Sequence, residues 1–243
     1  MTTDSPDSGT TTDEPDAAPT AEPRDVASLI LRARRTPRVK YVFFWGHREP
    51  LDGVDSSCLS QWYPSPFTVD DVTYRTAEHW MMAGKARMFD DADAERRVLA
   101  AAHPKAAKAI GRQVRGFDER RWLDERFELI VRGNVAKFGQ HPAMGAFLLG
   151  TGRRVLVEAS PVDRIWGIGL AADDERAGDP ELWRGSNLLG FALMETRARL
   201  VAGARPGGGG APAGGPPRTH LPTTSGVPPP PPPQGPRDGH PPP

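Results

Sequence analysis

The sequence predicts a mainly α domain with a small β-sheet, an α+β fold, on three observations. Apolar residues recur at helical spacing through most of the chain between residues 76 and 201. Short runs of β-branched and aromatic residues stand near both ends of the core and predict strands. Large apolar side chains are almost absent from both ends of the chain, which indicates one compact domain at residues 38–202.

Residues 1–37 and 203–243 are expected to be largely disordered tails. The first is rich in Thr and Pro, and its residues 1–24 hold six acidic side chains against one basic side chain. The second is rich in Gly and Pro and contains six consecutive prolines at 228–233. Such compositions bury too little apolar surface to offset the entropy of ordering the chain. The proline run favours a polyproline II rod, which would suit a partner that binds this conformation.

The predicted strands come from both ends of the core. Residues 39–45 are β-branched and aromatic, as in a buried strand. Residues 67–69 and 72–74 flank Asp70-Asp71 and predict a short hairpin, although Asp-Gly would be a better turn. Residues 154–158 alternate in the manner of a strand.

Helical periodicity begins after Thr76, where one apolar stripe runs from Ala77 to Met88. Asp118 is a good N-cap for a long helix whose inner face would include Leu123 and Phe138. Ser186 is the predicted cap of the last helix. The other predicted helices are 91–102, 104–114, 142–149 and 187–201.

Composition excludes several classes of protein. With both tails set aside, residues 25–200 carry a net charge of about +3, too mild for a dedicated nucleic-acid binder. Cys58 is the one cysteine, so no intrachain disulfide forms. No signal peptide or membrane-spanning segment is evident, which predicts a soluble cytoplasmic protein. His79 and His103 lack ligand spacing with a Cys or another His, so we expect no metal site.

Glu78 is the first candidate for chemistry. If Thr76 caps the helix, Glu78 lies in the first turn, where the positive end of the helix dipole stabilises an ionised carboxylate. Lys85 follows about two turns later on the same face and would suit a substrate with a developing cation and a phosphate. The alternative is that Glu78 is simply one of the many glutamates that favour first turns.

Two later segments also combine unusual residue types. Asp163-Arg-Ile-Trp-Gly-Ile-Gly places Trp166 in a Gly-rich loop, where Gly167 lets the backbone approach a ligand and the indole could stack on a base. Trp166 could equally fill the core, and Asp163 could merely cap a turn. In Trp183-Arg-Gly-Ser-Asn-Leu-Leu-Gly, Asn187 could contact phosphate or sugar hydroxyls, or the segment could be an ordinary helix start.

These segments, in this order, resemble the YbiA/NADAR family over essentially the whole core and neither tail. The resembling blocks are Phe44-Trp45, Leu59-Ser-Gln-Trp-Tyr with Phe67, Ala77-Glu-His-Trp with Lys85 and Phe89, Asn134 with Lys137-Phe138, the Asp163 block, and the Trp183 block continued to Leu193-Met-Glu-Thr-Arg197. Some members of the family carry an acidic residue between the two loop glycines, where this chain has Ile168.

The resemblance implies a YbiA-like fold and an N-glycosidase without a cofactor. Its substrates would be phosphorylated ribosylamino-pyrimidine intermediates of riboflavin synthesis, or ADP-ribose attached to guanine. The catalytic carboxylate of the family falls on Glu78, and its Asp and Trp fall on Asp163 and Trp166. Trp45, Lys85, Gly167 and Asn187 are then further candidates for substrate binding. The competing interpretation is a non-catalytic module that binds ADP-ribose or a related nucleotide.

Overall fold

The computed structural model describes residues 22–36 and 38–204, which fall within one compact unit. Within these residues, helices predominate over two small two-stranded sheets. The helices are α1 (Val26–Arg35), α2 (Ala77–Met88), α3 (Ala92–Ala100), α4 (Pro104–Gly111), α5 (Glu119–Gln140), α6 (Pro142–Gly150) and α7 (Leu188–Gly203). The strands are β1 (Tyr41–Phe44), β2 (Phe67–Val69), β3 (Val72–Tyr74) and β4 (Val155–Glu158). The predicted α+β class is confirmed.

The N-terminal boundary differs from the prediction, because α1 precedes residue 38. Asp25 caps this helix, and its carboxylate and the Ser28 side chain form a reciprocal capping box. Leu29 is fully buried in the main core, and Arg197 binds the Glu22 carboxylate at 3.0 and 3.1 Å. The folded region therefore includes residues assigned to the acidic tail. Residues 1–21 of that tail, residue 37, and residues 205–243 with the proline run lie outside the described residues.

The two sheets form as the strand predictions indicated. β1 and β4 are far apart in sequence and pair in parallel, with Phe44 opposite Glu158. β2 and β3 form the antiparallel hairpin. Asp70 and Asp71 both adopt positive φ, at 50° and 62°, so they supply the left-handed turn that Gly more often provides.

The core lies between the long helices and the parallel strands. α5 packs against α2 and α7, and α7 also packs against β4. Thr76 and Asp118 cap α2 and α5 as predicted. α2 is buried on nearly all sides rather than along a single stripe. Leu123, which periodicity placed on the inner face of α5, is 47% exposed.

The start of α7 corrects a second prediction. Asn187, and not Ser186, is the N-cap; it lies in the left-handed region at φ 49° and makes no side-chain capping bond. Its amide is instead committed to β4, where Nδ2 donates to Leu156 O at 2.9 Å and Oδ1 accepts from the Glu158 N–H at 3.0 Å. α7 is therefore fastened to the end of β4 at its first turn.

A buried lysine holds the short 3₁₀ helix at Ser56–Leu59 against α5. Lys137 is fully buried, and its Nζ donates to the carbonyls of Cys58 and Ser60 at 2.7 and 2.9 Å. Burial lowers the pKa of Lys137 to about 7. The same burial raises the pKa of the Cys58 thiol to about 11. This segment leads directly into Gln61 and Trp62, which approach α2.

Candidate active site

A cleft of about 340 Å³ opens where β1 and β4 end. Because the strands are parallel, the segments that follow them leave the same edge of the sheet. Trp45 follows β1, and Asp163 lies shortly after β4. The remaining wall comes from the Ser60–Trp62 segment and from α4. The lining residues are Phe44, Trp45, Gly46, His47, Ser60, Trp62, Lys108, Glu158, Ser160, Val162 and Asp163.

Glu78 lies in the first turn of α2 and is only 2% exposed. Its backbone N–H donates to Gln61 O at 2.9 Å, which joins the helix start to the cleft wall. Its Oε1 atom is buried and has no hydrogen-bond partner among the described residues. Burial raises the pKa of Glu78 to about 7, while nearby Lys108 and Trp62 act in the opposite direction. The carboxyl group can therefore exchange a proton near neutral pH.

Glu158 is a second, partly buried acid, and no sequence pattern marked it as a candidate site residue. It is the last residue of β4 and lines the cleft. Its Oε2 atom is also buried and lacks a partner within the described residues. Burial, followed by the charge of Asp163, raises the pKa of Glu158 to about 8. Its position was accessible from sequence, because it ends a predicted strand.

The two carboxylate oxygens of Asp163 contact different parts of the structure. Its Oδ1 accepts from the N–H groups of Ile165 and Trp166 at 2.9 and 2.8 Å, which caps the turn. Its Oδ2 lies 4.0 Å from the Nζ of Lys108. One oxygen therefore caps the turn, which is one of the two alternatives raised by the sequence, and the other oxygen faces Lys108.

The remaining walls of the cleft are cationic and aromatic. Lys108 projects from α4, and its Nζ lies 5.9 Å from the centre of the Trp62 ring. The Trp62 ring packs near His47 on one side and His103 on the other, at 5.5 and 6.0 Å between centroids. Trp45 is 61% exposed at the cleft. Trp62 belongs to the Leu59-Ser-Gln-Trp-Tyr block of the family resemblance but was not assigned a role there, and no sequence motif marked Lys108 on α4.

Trp166 and Gly167 shape the wall behind the cleft and do not line it. The Trp166 ring is partly buried against the core, and the Arg126 guanidinium lies 5.8 Å from its centre. A Cβ at Gly167 would come within 2.7 Å of Glu158 O, so glycine permits the loop to lie directly on β4. The Gly167 carbonyl also accepts the Asn187 N–H at 3.1 Å.

Lys85 and Asn187 are likewise separate from the cleft lining. The Lys85 Nζ donates to Gly111 O at 2.9 Å and lies 4.2 Å from the centre of the Phe117 ring. Desolvation lowers the pKa of Lys85. Asn187 is fully buried and uses its amide on β4. Of the seven predicted site residues, Trp45 and Asp163 line the cleft, and Glu78 lies beside it, bonded to Gln61 next to the lining residues Ser60 and Trp62.

The cleft and its border bring together acidic side chains, the Lys108 ammonium group and two indole rings. Two carboxyl groups with raised pKa values can hold or release a proton, and Lys108 can neutralise negative charge. Exposed indole can stack on a planar ring. Across residues 22–36 and 38–204, no three His, Cys, Asp or Glu side chains are grouped to hold a metal ion. None of the helices formed by these residues has the length and apolar character of a membrane span.

Comparison with known proteins gives consistent matches over the core. Residues 43–201 match the family described as the NADAR domain. The chain is 39% identical over 163 residues to N-glycosidase R617 of Acanthamoeba polyphaga mimivirus. This match covers 65% of this chain and 95% of that protein. It is 33% identical over 139 residues to riboflavin biosynthesis protein PYRR, chloroplastic, of Zea mays, covering 54% of this chain and 20% of the maize protein.

A solved structure has the same fold. The NMR structure of the Escherichia coli protein YbiA superposes with a TM-score of 0.55 and 26% sequence identity, over 68% of this chain and 86% of the bacterial one. In sequence, N-glycosidase YbiA of Escherichia coli strain K12 is 30% identical over 146 residues, or 60% of this chain and 81% of that protein. The family match begins at residue 43, so α1 lies outside it.

Proposed function

Because the chain belongs to the NADAR domain family, we propose that its cleft hydrolyses the N-glycosidic bond of a small nucleotide-like substrate. Relatives with the same core are named N-glycosidases. The observation that carries the proposal is Glu78, a carboxyl group buried beside the cleft with one oxygen left without a partner in the described structure. An unpaired buried carboxyl costs stability, and such a cost is commonly retained where the group reacts.

The chemistry of the bond explains why such a carboxylate is useful. Cleavage of a ribose C1′–N bond passes through a state with oxocarbenium character, in which positive charge develops on the sugar. The ionised form of Glu78 would stabilise this charge and accept a proton from the attacking water. Its raised pKa, about 7, leaves a substantial ionised fraction at neutral pH. The low dielectric that raises this pKa also strengthens the attraction to the developing cation.

The other cleft residues fit the remaining parts of a nucleotide. Trp45 would stack on the base, because its indole is largely exposed at the cleft. Lys108 would bind phosphate as a point charge. Asp163 would orient ribose hydroxyls through Oδ2, while Oδ1 remains committed to the loop. These roles of Trp45, Lys108 and Asp163 are predictions that follow from the proposed function.

Two substrate classes suit this arrangement: phosphorylated ribosylamino-pyrimidines and ADP-ribose linked to guanine. The first is supported by similarity to a maize protein named for riboflavin biosynthesis. Both present a ribose C1′–N bond, a planar base and phosphate. A non-catalytic nucleotide-binding module would use the same cleft, but it would have no need of a buried Glu78 carboxyl with one oxygen left without a partner in the described structure.

The deciding experiment is hydrolysis by a Glu78→Gln variant. The variant should fold and bind, and its turnover of either substrate class should fall by about 10²–10⁴-fold, as expected for a general acid–base group. Glu125→Gln is the matched control, since Glu125 is exposed and paired with Arg121 on α5. Free base and free sugar phosphate are measured as products. Wild-type turnover by folded Glu78→Gln would show that the carboxylate is not catalytic.

A further inference from the structure

Glu158 has no assigned role, and its surroundings are those of a reactive group. Its Oε2 atom is the second buried carboxyl oxygen without a partner in the described residues. Unlike Glu78, Glu158 is itself part of the cleft lining. Elsewhere in the domain, buried Asp91 satisfies its carboxylate with Arg115 and the Ala94 N–H. Asp91 shows that this fold can supply hydrogen-bond partners to a buried carboxylate, whereas Oε2 of Glu158 has none in the described residues.

We propose that Glu158 is the general acid of the reaction, donating its proton to the nitrogen of the departing base. The proposal rests on the proposed N-glycosidase function. Glu78 then acts on the sugar side of the bond, as an ionised group. Two carboxyl groups in different surroundings would thus perform opposite proton transfers.

The charged groups around the two acids favour this division. Glu158 is influenced by Asp163 after β4, by Glu78 on α2 and by Lys108 on α4, while His47 after β1 shares the cleft lining. The two carboxylates disfavour a negative charge on Glu158, and Lys108 favours it. Lys108, Trp62 and Arg112 favour the ionised form of Glu78, and the charge of Asp163 opposes it. Glu158 thus has fewer groups nearby that favour its ionised form than Glu78 has.

Asp163 is less suited to donate a proton. Its Oδ1 accepts two backbone N–H groups, which commits this oxygen to the turn that carries Trp166, and its Oδ2 faces Lys108. Glu158 has the opposite character, because no protein donor holds its Oε2 atom in the described structure.

Hydrogen bonds to two other elements hold the backbone of Glu158 in place. Its N–H donates to Asn187 Oδ1, and its carbonyl accepts the Ile168 N–H at 2.9 Å. The residue is therefore held from both α7 and the Gly-rich loop. A fixed backbone reduces the entropy that the side chain loses on reaching its reactive geometry. Asn187 accordingly has a positioning role in this scheme.

The proton balance closes over one turnover. The Glu158 O–H gives its proton to the leaving nitrogen as the C1′–N bond breaks, and the bonding electrons leave with the base. Water forms the new C1′–O bond and releases one proton to Glu78. Transfer of that proton to Glu158, directly or through solvent, restores both groups. The net reaction consumes one water and requires no oxidant or other co-reactant.

The test combines a pH–rate profile with an infrared titration. Wild-type kcat should fall as pH rises through about 8, the pKa of Glu158. Glu158→Gln should lose about 10²–10⁴-fold in kcat and lack this alkaline decline. The control Glu125→Gln should retain both the rate and the decline. A Glu158→Gln variant that keeps the decline, or loses less than about tenfold, would overturn the proposal.

The infrared arm does not depend on turnover. A protonated carboxyl band should be present in the Glu78→Gln variant, and it should titrate below the value of about 8 expected for the wild type, because the charge of Glu78 that raises the pKa of Glu158 is removed. Its absence would show that Glu158 holds no proton to donate, even if Glu158→Gln does not fold. An inactive wild type would instead refute the N-glycosidase proposal, and the infrared band would still report the state of Glu158. The two failures are thus distinguishable.

Discussion

The Nζ of Lys108 lies 4.0 Å from Oδ2 of Asp163, within a cleft that both side chains help to line. This spacing is at the long limit for an ion pair, and Lys108 remains 34% exposed. The ammonium group can therefore turn toward a ligand without breaking a tight pair. Lys85 differs, because its Nζ already donates to Gly111 O and lies over an aromatic ring.

Lys108→Ala is expected to impair phosphorylated substrates selectively. Loss of its charge should lower kcat/KM about tenfold or more for a riboside 5′-phosphate and much less for the matching nucleoside, in line with a charge-assisted hydrogen bond. Lys85→Ala is the control and should not change this ratio. The measurement is kcat/KM on both compounds with all three proteins. A selective loss in Lys85→Ala would restore the assignment made from helical spacing alone.

Trp45 and Trp166 should respond differently to truncation. Trp45→Ala should weaken substrate binding by about 1–3 kcal/mol, the usual contribution of base–aromatic stacking, because its ring is exposed at the cleft. Trp166→Ala should chiefly lower the free energy of unfolding, by about 1–3 kcal/mol, because its ring packs against the core. Calorimetric binding and urea denaturation of both variants provide the comparison. Stable Trp166→Ala with weakened binding would place the stacking platform in the Gly-rich loop instead.

Glu78 and Glu158 should make the free energy of unfolding decrease as the pH rises. The pKa values of Glu78 and Glu158 rise from 4.5 in the unfolded chain to about 7 and about 8 on folding. The folded state then binds more protons than the unfolded state across this window, so their contribution to the unfolding free energy falls as pH rises from 4.5 to 8. Lys137 acts oppositely at higher pH, because folding lowers its pKa from 10.5 to about 7.

The double variant Glu78→Gln with Glu158→Gln tests this pH dependence. Its stability relative to the wild type should increase steadily between about pH 5 and 8, since the variant lacks the two titrating acids. Urea denaturation across that range gives the difference directly and cancels the contributions of other groups. A difference that stays constant with pH would show that neither acid has a raised pKa in the folded protein.

Helix α1 should contribute to the stability of the domain although the family match begins after it. Leu29→Ala is expected to cost about 2–5 kcal/mol, because the side chain is fully buried. Leu31→Ala is the control in the same helix; that side chain is 56% exposed, and its loss should change stability by no more than about 0.5 kcal/mol. Thermal and urea unfolding provide the values. Equal effects would indicate that α1 does not dock in solution.

Local signals in the sequence predicted the elements better than the site. Thr76 and Asp118 mark helix starts because capping depends on neighbouring residues. The prediction that Ser186 caps α7 was wrong. Asn187 takes the N-cap position because its amide binds β4, a partner about thirty residues away in sequence. The capping box of Asp25 and Ser28 was a readable signal for α1, but the acidic segment around it obscured the helix.

For the candidate site, the sequence identified two acidic residues, Glu78 and Asp163, but not the side chains that surround them. Glu78 was identified from its helix position, and Asp163 from its loop. Lys108 could not be paired with them, because its place in the cleft depends on how α4 packs on α2. Helical spacing associated Lys85 with Glu78, yet α4 and the segment after it supply the nearer partners of Lys85. Contacts between elements are set by tertiary packing, which periodicity alone does not specify.

The buried Cys58 thiol gives access to the motions of the cleft wall. It is the sole cysteine of the chain, it is fully buried, and its pKa is raised to about 11. A thiol-specific reagent can therefore modify only molecules in which the Ser56–Leu59 segment has separated from Lys137. This segment leads into Trp62, so a ligand that fills the cleft should retard modification. The labelling rate of the Cys58 sulfur would then measure how often the Ser56–Leu59 segment separates from Lys137 in the empty protein. The fall in that rate would show how strongly each candidate nucleotide suppresses this separation.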